Sequence, residues 1–140
     1  MLLFALAFPP EPRRCPRILI VEDHEDTREM YAQFLSTSFE VLQAADGREA
    51  LAAAQQQRPD AIVTDLSLPG GMDGFELVRQ LRRLAITSRI PVLCLSGHSG
   101  RMHEERARRA GFDRIVQKPC LPDVLADTLL HLLAETRKPE

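Results

Sequence analysis

The sequence predicts an α/β domain in which a five-stranded parallel sheet is covered by helices on both faces. Short apolar runs rich in Ile, Val and Leu alternate with longer segments of helical periodicity, five times over 140 residues. The connections are short, which suits right-handed crossovers between parallel strands. The chain is long enough for one domain with a substantial core, and it contains no internal repeat.

Five apolar runs are typical of buried strands. The first, RILIV, is continuously apolar rather than alternating, as expected for a strand that is covered on both faces. The predicted strands cover residues 17–21, 39–45, 61–65, 90–96 and 114–118. In open parallel sheets ligands bind beyond the carboxyl ends of the strands, so a functional site is expected at that edge.

Five segments of helical periodicity follow the strands. They cover about residues 22–37, 46–58, 73–84, 101–111 and 121–135. The first has one apolar face, formed by Met30, Tyr31, Phe34 and Leu35. The last has an apolar stripe of Val124, Leu125, Thr128, Leu129 and Leu132. The segment 101–111 is the most polar, and Gly111 is expected to end it.

Composition narrows the class of protein. A net charge of -2 argues against a nucleic-acid surface that spans the whole domain, and no direct nucleic-acid partner is expected. Three cysteines without a pairing pattern indicate a reducing compartment, and Cys94 lies in an apolar run typical of the core. We expect a cytoplasmic protein with no membrane insertion.

The two ends of the chain are predicted to lie outside the domain. The apolar start of residues 1–16 is too short to span a bilayer and lacks the features of a signal peptide. Four prolines follow and prevent regular structure, so residues 1–16 are predicted to be a flexible extension. The domain is predicted over residues 17–135, with a short tail over 136–140.

Polar side chains gather at the carboxyl ends of the predicted strands. Glu22 and Asp23 follow the first strand, and the third ends at Asp65. The fourth strand ends at Ser96 and the fifth at Lys118. Three carboxylates that lie close together repel one another unless a cation sits among them. Oxygen ligands with open positions suit Mg²⁺, which favours carboxylates together with phosphate.

This set of side chains favours phosphoryl transfer to a carboxylate. A hydroxyl from Ser96 and an ammonium from Lys118 could hold the oxygens of a phosphoryl group. Asp65 is the best candidate nucleophile, because it is a lone acid at a strand end and precedes a glycine-containing loop. The loop does not match a phosphate-binding P-loop, since no Gly-Lys-Ser/Thr sequence follows it.

Four stretches together resemble a known family. ILIVEDHED, AIVTDLSLPGGMDGFELVRQLR, PVLCLSG and IVQKP are similar, in order and separation, to the response-regulator receiver domain of two-component signalling. The resemblance covers residues 17–135 and implies a flavodoxin-like, doubly wound fold of the (βα)5 type. It also implies that Asp65 is the phosphoacceptor. Asp23, Asp65 and the backbone carbonyl of Ser67 would bind Mg²⁺, with Glu22 assisting through water.

The resemblance also implies roles for Ser96 and Lys118, and it implies partners. Ser96 would move toward the phosphoryl group, Lys118 would pair with Asp65 or its phosphate, and the Lys118–Pro119 peptide bond would be cis. The phosphoryl donor would be a sensor histidine kinase or a histidine phosphotransfer protein. The chain is expected to be a stand-alone receiver, not an enzyme that turns over substrate. It would signal through a downstream protein, with a homodimer as an open possibility.

The sequence departs from the family pattern at four places, the first of which is Glu22 in place of the commoner Asp. Ile115 stands where the family often has an aromatic residue that couples to the hydroxyl, the loop 68–74 carries one extra glycine, and Cys120 replaces a common Phe. Ile115 supports an alternative, a pseudo-receiver that binds partners without phosphorylation. A phosphohydrolase would need a second acid two residues after the nucleophile, where Ser67 stands.

Overall fold

The computed structural model describes residues 15–136, which form one parallel sheet with helices on both faces. The strands are β1 Arg17–Val21, β2 Glu40–Ala44, β3 Ala61–Asp65, β4 Val92–Ser96 and β5 Arg114–Gln117. The helices are α1 Glu25–Leu35, α2 Gly47–Gln57, α3 Gly74–Arg83, α4 Arg101–Ala110 and α5 Pro122–Thr136. Residues 1–14 of the predicted extension and residues 137–140 of the predicted tail lie outside the described residues.

The strand order is β2-β1-β3-β4-β5, which is the doubly wound, flavodoxin-like arrangement that the sequence predicts. All strand pairs are parallel. At the carboxyl edge the register places Val21 beside Thr64, Asp65 beside Leu95, and Ser96 beside Gln117. The order reverses between β1 and β3, so the ends of these two strands open onto a common crevice.

Each face of the sheet has its own apolar core, because successive side chains of a strand point to opposite faces. In β1, Ile18 and Ile20 pack with α1 and α5, whereas Leu19 and Val21 pack with α2, α3 and α4. All four side chains are at most 2% exposed. Continuous apolar runs are therefore what this sheet requires, as the sequence predicts.

The predicted apolar face of α1 is only partly correct. Tyr31 and Leu35 are buried together with Ala32, but Met30 is 42% exposed and Phe34 is 43% exposed. The helix contacts the sheet through a narrow stripe, which Tyr31, Ala32 and Leu35 fill. Met30 and Phe34 lie at the edge of that stripe.

The other helices differ in how much of their surface they bury. In α3 the side chains of Phe75, Leu77, Val78 and Leu81 are all buried. Of the stripe predicted for α5, Leu125, Leu129 and Leu132 are buried, Thr128 is half-buried and Val124 is 48% exposed, and Leu133 is buried in addition. The buried residue of α4 is Ala107. Cys94 is fully buried, as predicted. Among residues 15–136 no helix is long and apolar enough to cross a membrane.

Candidate functional site

An acid and a lysine meet at the carboxyl edge of the sheet. The Lys118 Nζ lies 2.9 Å from Asp65 Oδ2, although the two residues are 53 positions apart in the chain. The Asp65 side chain is only 13% exposed. The backbone N–H of Lys118 donates to the Ser96 carbonyl, so the end of β5 is fixed against the end of β4. The Lys118–Pro119 peptide bond is cis, as expected.

Two further acids follow β1 beside this pair. Glu22 is buried, and its carboxylate accepts a hydrogen bond of 3.0 Å from the Asp23 backbone N–H. Burial, and after it the negative charge of Asp65, raises the pKa of Glu22 to about 7. Lys118 acts in the opposite direction but does not cancel these effects. The three acids therefore crowd one another, as the sequence predicts.

The donor set fits a hard divalent cation. Glu22, Asp23 and His24 each offer a ligand atom, and these atoms lie within 4.8 Å of one another. The carboxylate oxygens suit Mg²⁺, whereas the His24 imidazole is 77% exposed and offers a nitrogen that Mg²⁺ does not favour. The proximity of Asp65 to Glu22 adds a third carboxylate, and a cation there would relieve its effect on the Glu22 pKa.

The loop after β3 is held against Asp65 by a close backbone approach. The Gly74 N–H donates to the Leu66 carbonyl at 2.8 Å, and a Cβ on Gly74 would stand 2.5 Å from the Asp65 carbonyl oxygen. Asp73 caps α3 by accepting from the Glu76 N–H. The chain reverses through Gly70 and Gly71, whose φ angles are positive. A glycine is thus required at Gly74 to bring α3 close to the site.

Ser96 faces the loop that follows β4. Its hydroxyl lies 2.7 Å from His103 Nε2 on α4, accepts from the His98 N–H at 3.0 Å, and lies 3.2 Å from the His98 carbonyl. His103 was not among the predicted site residues, because a histidine in a polar helix carries no pattern that points to a strand end. Ser96 does not cap α4, whose N-cap is Gly100.

A cleft of about 820 Å³ opens in front of these residues. Asp23 lines one side and the loop residue Ser67 another, while His98 and His103 line the α4 side. The Arg106 guanidinium lies 4.3 Å from the ring centre of Phe75 and links α4 to α3 at the cleft wall. Asp65, Ser96 and Lys118 lie behind this lining and do not themselves form the cleft wall.

The doubly wound sheet with this rim of acids and a lysine is the architecture of a phosphotransfer signalling domain. A family model for the response regulator receiver domain matches residues 18–130. The chain belongs to this family and is a receiver domain of the two-component type. The resemblance stated from the four sequence stretches is thereby confirmed.

Similar proteins include regulators and sensor kinases. The chain is 38% identical over 124 residues to the transcriptional regulatory protein PrrA of Mycobacterium tuberculosis, covering 88% of this chain and 51% of PrrA. It therefore spans about half the length of that relative. The chemotaxis response regulator CheY4 of Vibrio cholerae has a TM-score of 0.79 and 34% identity, covering 84% of this chain and 98% of CheY4.

A third similar structure carries a metal. The receiver domain of sensor histidine kinase PA1611 from Pseudomonas aeruginosa PAO1 has a TM-score of 0.77 and 28% identity. The match covers 86% of this chain and 98% of that domain, which has a magnesium ion coordinated in its active-site cleft.

Proposed function

We propose that this receiver domain accepts a phosphoryl group on Asp65 in a Mg²⁺-dependent reaction. The observation that carries the proposal is the ion pair of 2.9 Å between Lys118 and Asp65, with Glu22 and Asp23 crowded beside it. A nucleophilic carboxylate must be held in place, and the Lys118 ammonium holds one oxygen of Asp65 at 2.9 Å. A structural ion pair alone would not need two more acids at the same strand edge.

The phosphoryl transfer changes no oxidation state, so it needs no oxidant or reductant. A carboxylate oxygen of Asp65 forms a bond to phosphorus, and the P–N bond of a phosphohistidine breaks. The electron pair of that bond stays on the imidazole nitrogen, which takes up a proton. Lys118 then holds an oxygen of the phosphoryl group, and the Ser96 hydroxyl donates to another. In slow hydrolysis, water attacks the phosphorus and the carboxylate of Asp65 leaves.

The metal set would consist of the carboxylates of Asp23 and Asp65 and the backbone carbonyl of Ser67, with Glu22 acting through water. When bound, Mg²⁺ neutralises charge on the transferred oxygens and on the acids. The magnesium ion in the cleft of the similar PA1611 receiver supports this set, as does the oxygen-rich donor chemistry of this chain. The residues of this chain would orient the acceptor oxygen.

The partners follow from the reaction. The donor would be the phosphohistidine of a sensor kinase or phosphotransfer protein, and the output a contact with a downstream protein. The similar PA1611 domain is itself part of a sensor histidine kinase, which supports a kinase-linked donor. We place this exchange in the cytoplasm, where such donors would meet the domain.

The test is the intact mass of the protein after incubation with acetyl phosphate and Mg²⁺. We expect wild type to gain one HPO₃ group, Asp65→Asn to gain none, and EDTA to prevent the gain. Asp26→Asn is the matched control, because Asp26 is an exposed acid in the first turn of α1. Wild type that gains no mass with any donor, and does not bind Mg²⁺, would favour the pseudo-receiver alternative that Ile115 suggests.

A further inference from the structure

The Ser96 hydroxyl has all of its hydrogen-bonding capacity engaged on the α4 side of the cleft. A serine hydroxyl offers one donor and two acceptor positions. Three polar atoms lie within reach: His103 Nε2 at 2.7 Å, the His98 N–H at 3.0 Å and the His98 carbonyl at 3.2 Å. Ser96 is fully buried, so water does not compete for these positions. A hydroxyl that turns toward Asp65 must therefore leave His103.

Helix α4 has few other attachments to the domain. Of its ten residues, Ala107 is the buried one, and Met102 is 85% exposed. The helix begins after Gly100, whose φ is 111°, and its N-cap makes no side-chain hydrogen bond. Besides Ala107, the helix is held by Ala110, which packs against the apolar core, and by the ring of Phe75 beneath Arg106. Its first turn is held by the His103 ring, which lies 5.5 Å from the His98 ring and contacts the hydroxyl of Ser96. Loss of the His103 contact would remove a large share of what holds the first turn.

The residue of β5 beside Ser96 in the register is Gln117, and among the described residues the Ser96 hydroxyl bonds instead to His98 and His103. Ile115 pairs with Cys94 in the register, two residues before Ser96, and packs against the apolar core. A hydrocarbon side chain neither donates nor accepts, so movement of the Ser96 hydroxyl makes or breaks no hydrogen bond there. His103 is the polar side chain that reports the position of this hydroxyl among the described residues.

We propose that His103 is a positioning residue that holds the Ser96 hydroxyl away from Asp65 and ties it to the first turn of α4. Movement of Ser96 toward a phosphoryl group on Asp65 breaks this contact and releases the turn. The inference rests on the proposed function, since the competing ligand is the phosphoryl group. It assigns the transmission of the signal to α4 through a histidine rather than through residue 115.

The contact itself is tested in the unphosphorylated protein by amide hydrogen exchange over residues 101–110. We expect exchange to be about two- to tenfold faster in His103→Ala than in wild type, since one hydrogen bond is lost. Ser96→Ala should have the same effect, and the double variant no further one. His103→Phe, which keeps a ring of similar size but no ring nitrogen, should behave like His103→Ala.

His98→Ala is the matched control for ring packing. The His98 and His103 rings lie 5.5 Å apart, but His98 contacts Ser96 only through backbone atoms, which the substitution retains. We expect wild-type exchange in this variant. Equal acceleration in His98→Ala, or wild-type exchange in His103→Phe, would overturn the proposal, because ring packing would then hold the helix.

The coupling is tested with beryllofluoride, a phosphoryl mimic, in the presence of Mg²⁺ and followed by fluorine NMR. We expect His103→Ala to reach half-saturation at about two- to tenfold lower concentration than wild type. In the Ser96→Ala background the same substitution should produce no shift. If wild type binds beryllofluoride and His103→Ala reaches half-saturation at the same concentration, the coupling is overturned but the phosphoacceptor proposal is not. If wild type binds no beryllofluoride, the phosphoacceptor proposal is overturned and the coupling with it.

Discussion

Gly74→Ala should disturb the fold and the site together. The added Cβ would lie 2.5 Å from the Asp65 carbonyl oxygen and 2.9 Å from Leu66 Cα. An ordinary contact begins at 3.4 Å, so the carbonyl and the Cβ must separate by roughly 0.9 Å. Both neighbours are backbone atoms, one of Asp65 at the end of β3 and one of Leu66 directly after it, so no side-chain rotation can relieve the clash.

The expected cost follows from that geometry. Overpacking a well-filled site costs about 1–3 kcal/mol, and the upper end applies because β3 or α3 must shift as a unit. The gain of about 0.5–1 kcal/mol from replacing a helical glycine offsets part of it. We expect a net loss of about 2 kcal/mol in the free energy of unfolding. With m of about 1–3 kcal/mol/M, the urea midpoint should fall by roughly 1 M.

Gly97→Ala is the matched control, because a Cβ there meets nothing within 4 Å and the φ of Gly97 is not positive. Urea unfolding of the two variants measures the difference directly. Under folding conditions, phosphorylation of Gly74→Ala by acetyl phosphate should be slower by about tenfold or more, since a shift near 1 Å misplaces Asp65. Gly74→Ala with a stability within about 0.5 kcal/mol of Gly97→Ala would refute the reasoning.

Three further predictions concern the core, a loop anchor and the acids. Burial raises the pKa of Cys94 to about 12, so a thiol reagent near neutral pH should label it roughly a hundredfold more slowly than Cys15 by peptide mass mapping. Arg82 donates to three backbone carbonyls and to a carboxylate, so Arg82→Gln should cost about 2 kcal/mol in urea unfolding. The neighbouring exposed Arg83→Gln should cost less than about 0.5 kcal/mol. In EDTA above pH 7, Glu22→Gln should stabilise the fold by about 1 kcal/mol, because the native state disfavours the ionised Glu22, whose pKa is raised from 4.5 to about 7. A variant less stable than wild type there would show that the ionised form is not disfavoured.

The fold was predictable because strand and helix periods alternate along the whole chain. Continuous apolar runs such as Arg17–Val21 can only be buried on both faces, and parallel strands then bring their carboxyl ends to one edge. This rule brings Lys118 and Asp65 to the same edge although they are far apart in the chain, and the family resemblance implied that they pair. The rule is topological and needs no knowledge of loop paths.

What the sequence did not predict depends on loop paths and helix rotation. His103 reaches Ser96 only because the chain turns through Gly97 and Gly100 at the start of α4, and no periodicity encodes that turn. The rotation of α1 is set by how Tyr31 packs, with its hydroxyl donating to the Cys120 carbonyl at 2.6 Å. Met30 is apolar enough to suit the core, yet this rotation leaves it at the edge.

The charge balance of the rim explains why an acid is tolerated at the end of β3. Asp65 is mostly buried, and one ammonium from Lys118 is its direct partner. Glu22 and Asp23 add two more acids beside it, and burial first and the charge of Asp65 second raise the pKa of Glu22 although Lys118 lowers it. A phosphoryl group would add further negative charge to the same place. One ammonium therefore faces three acids, and a divalent cation would lower the cost of both the buried acids and the phosphorylated state.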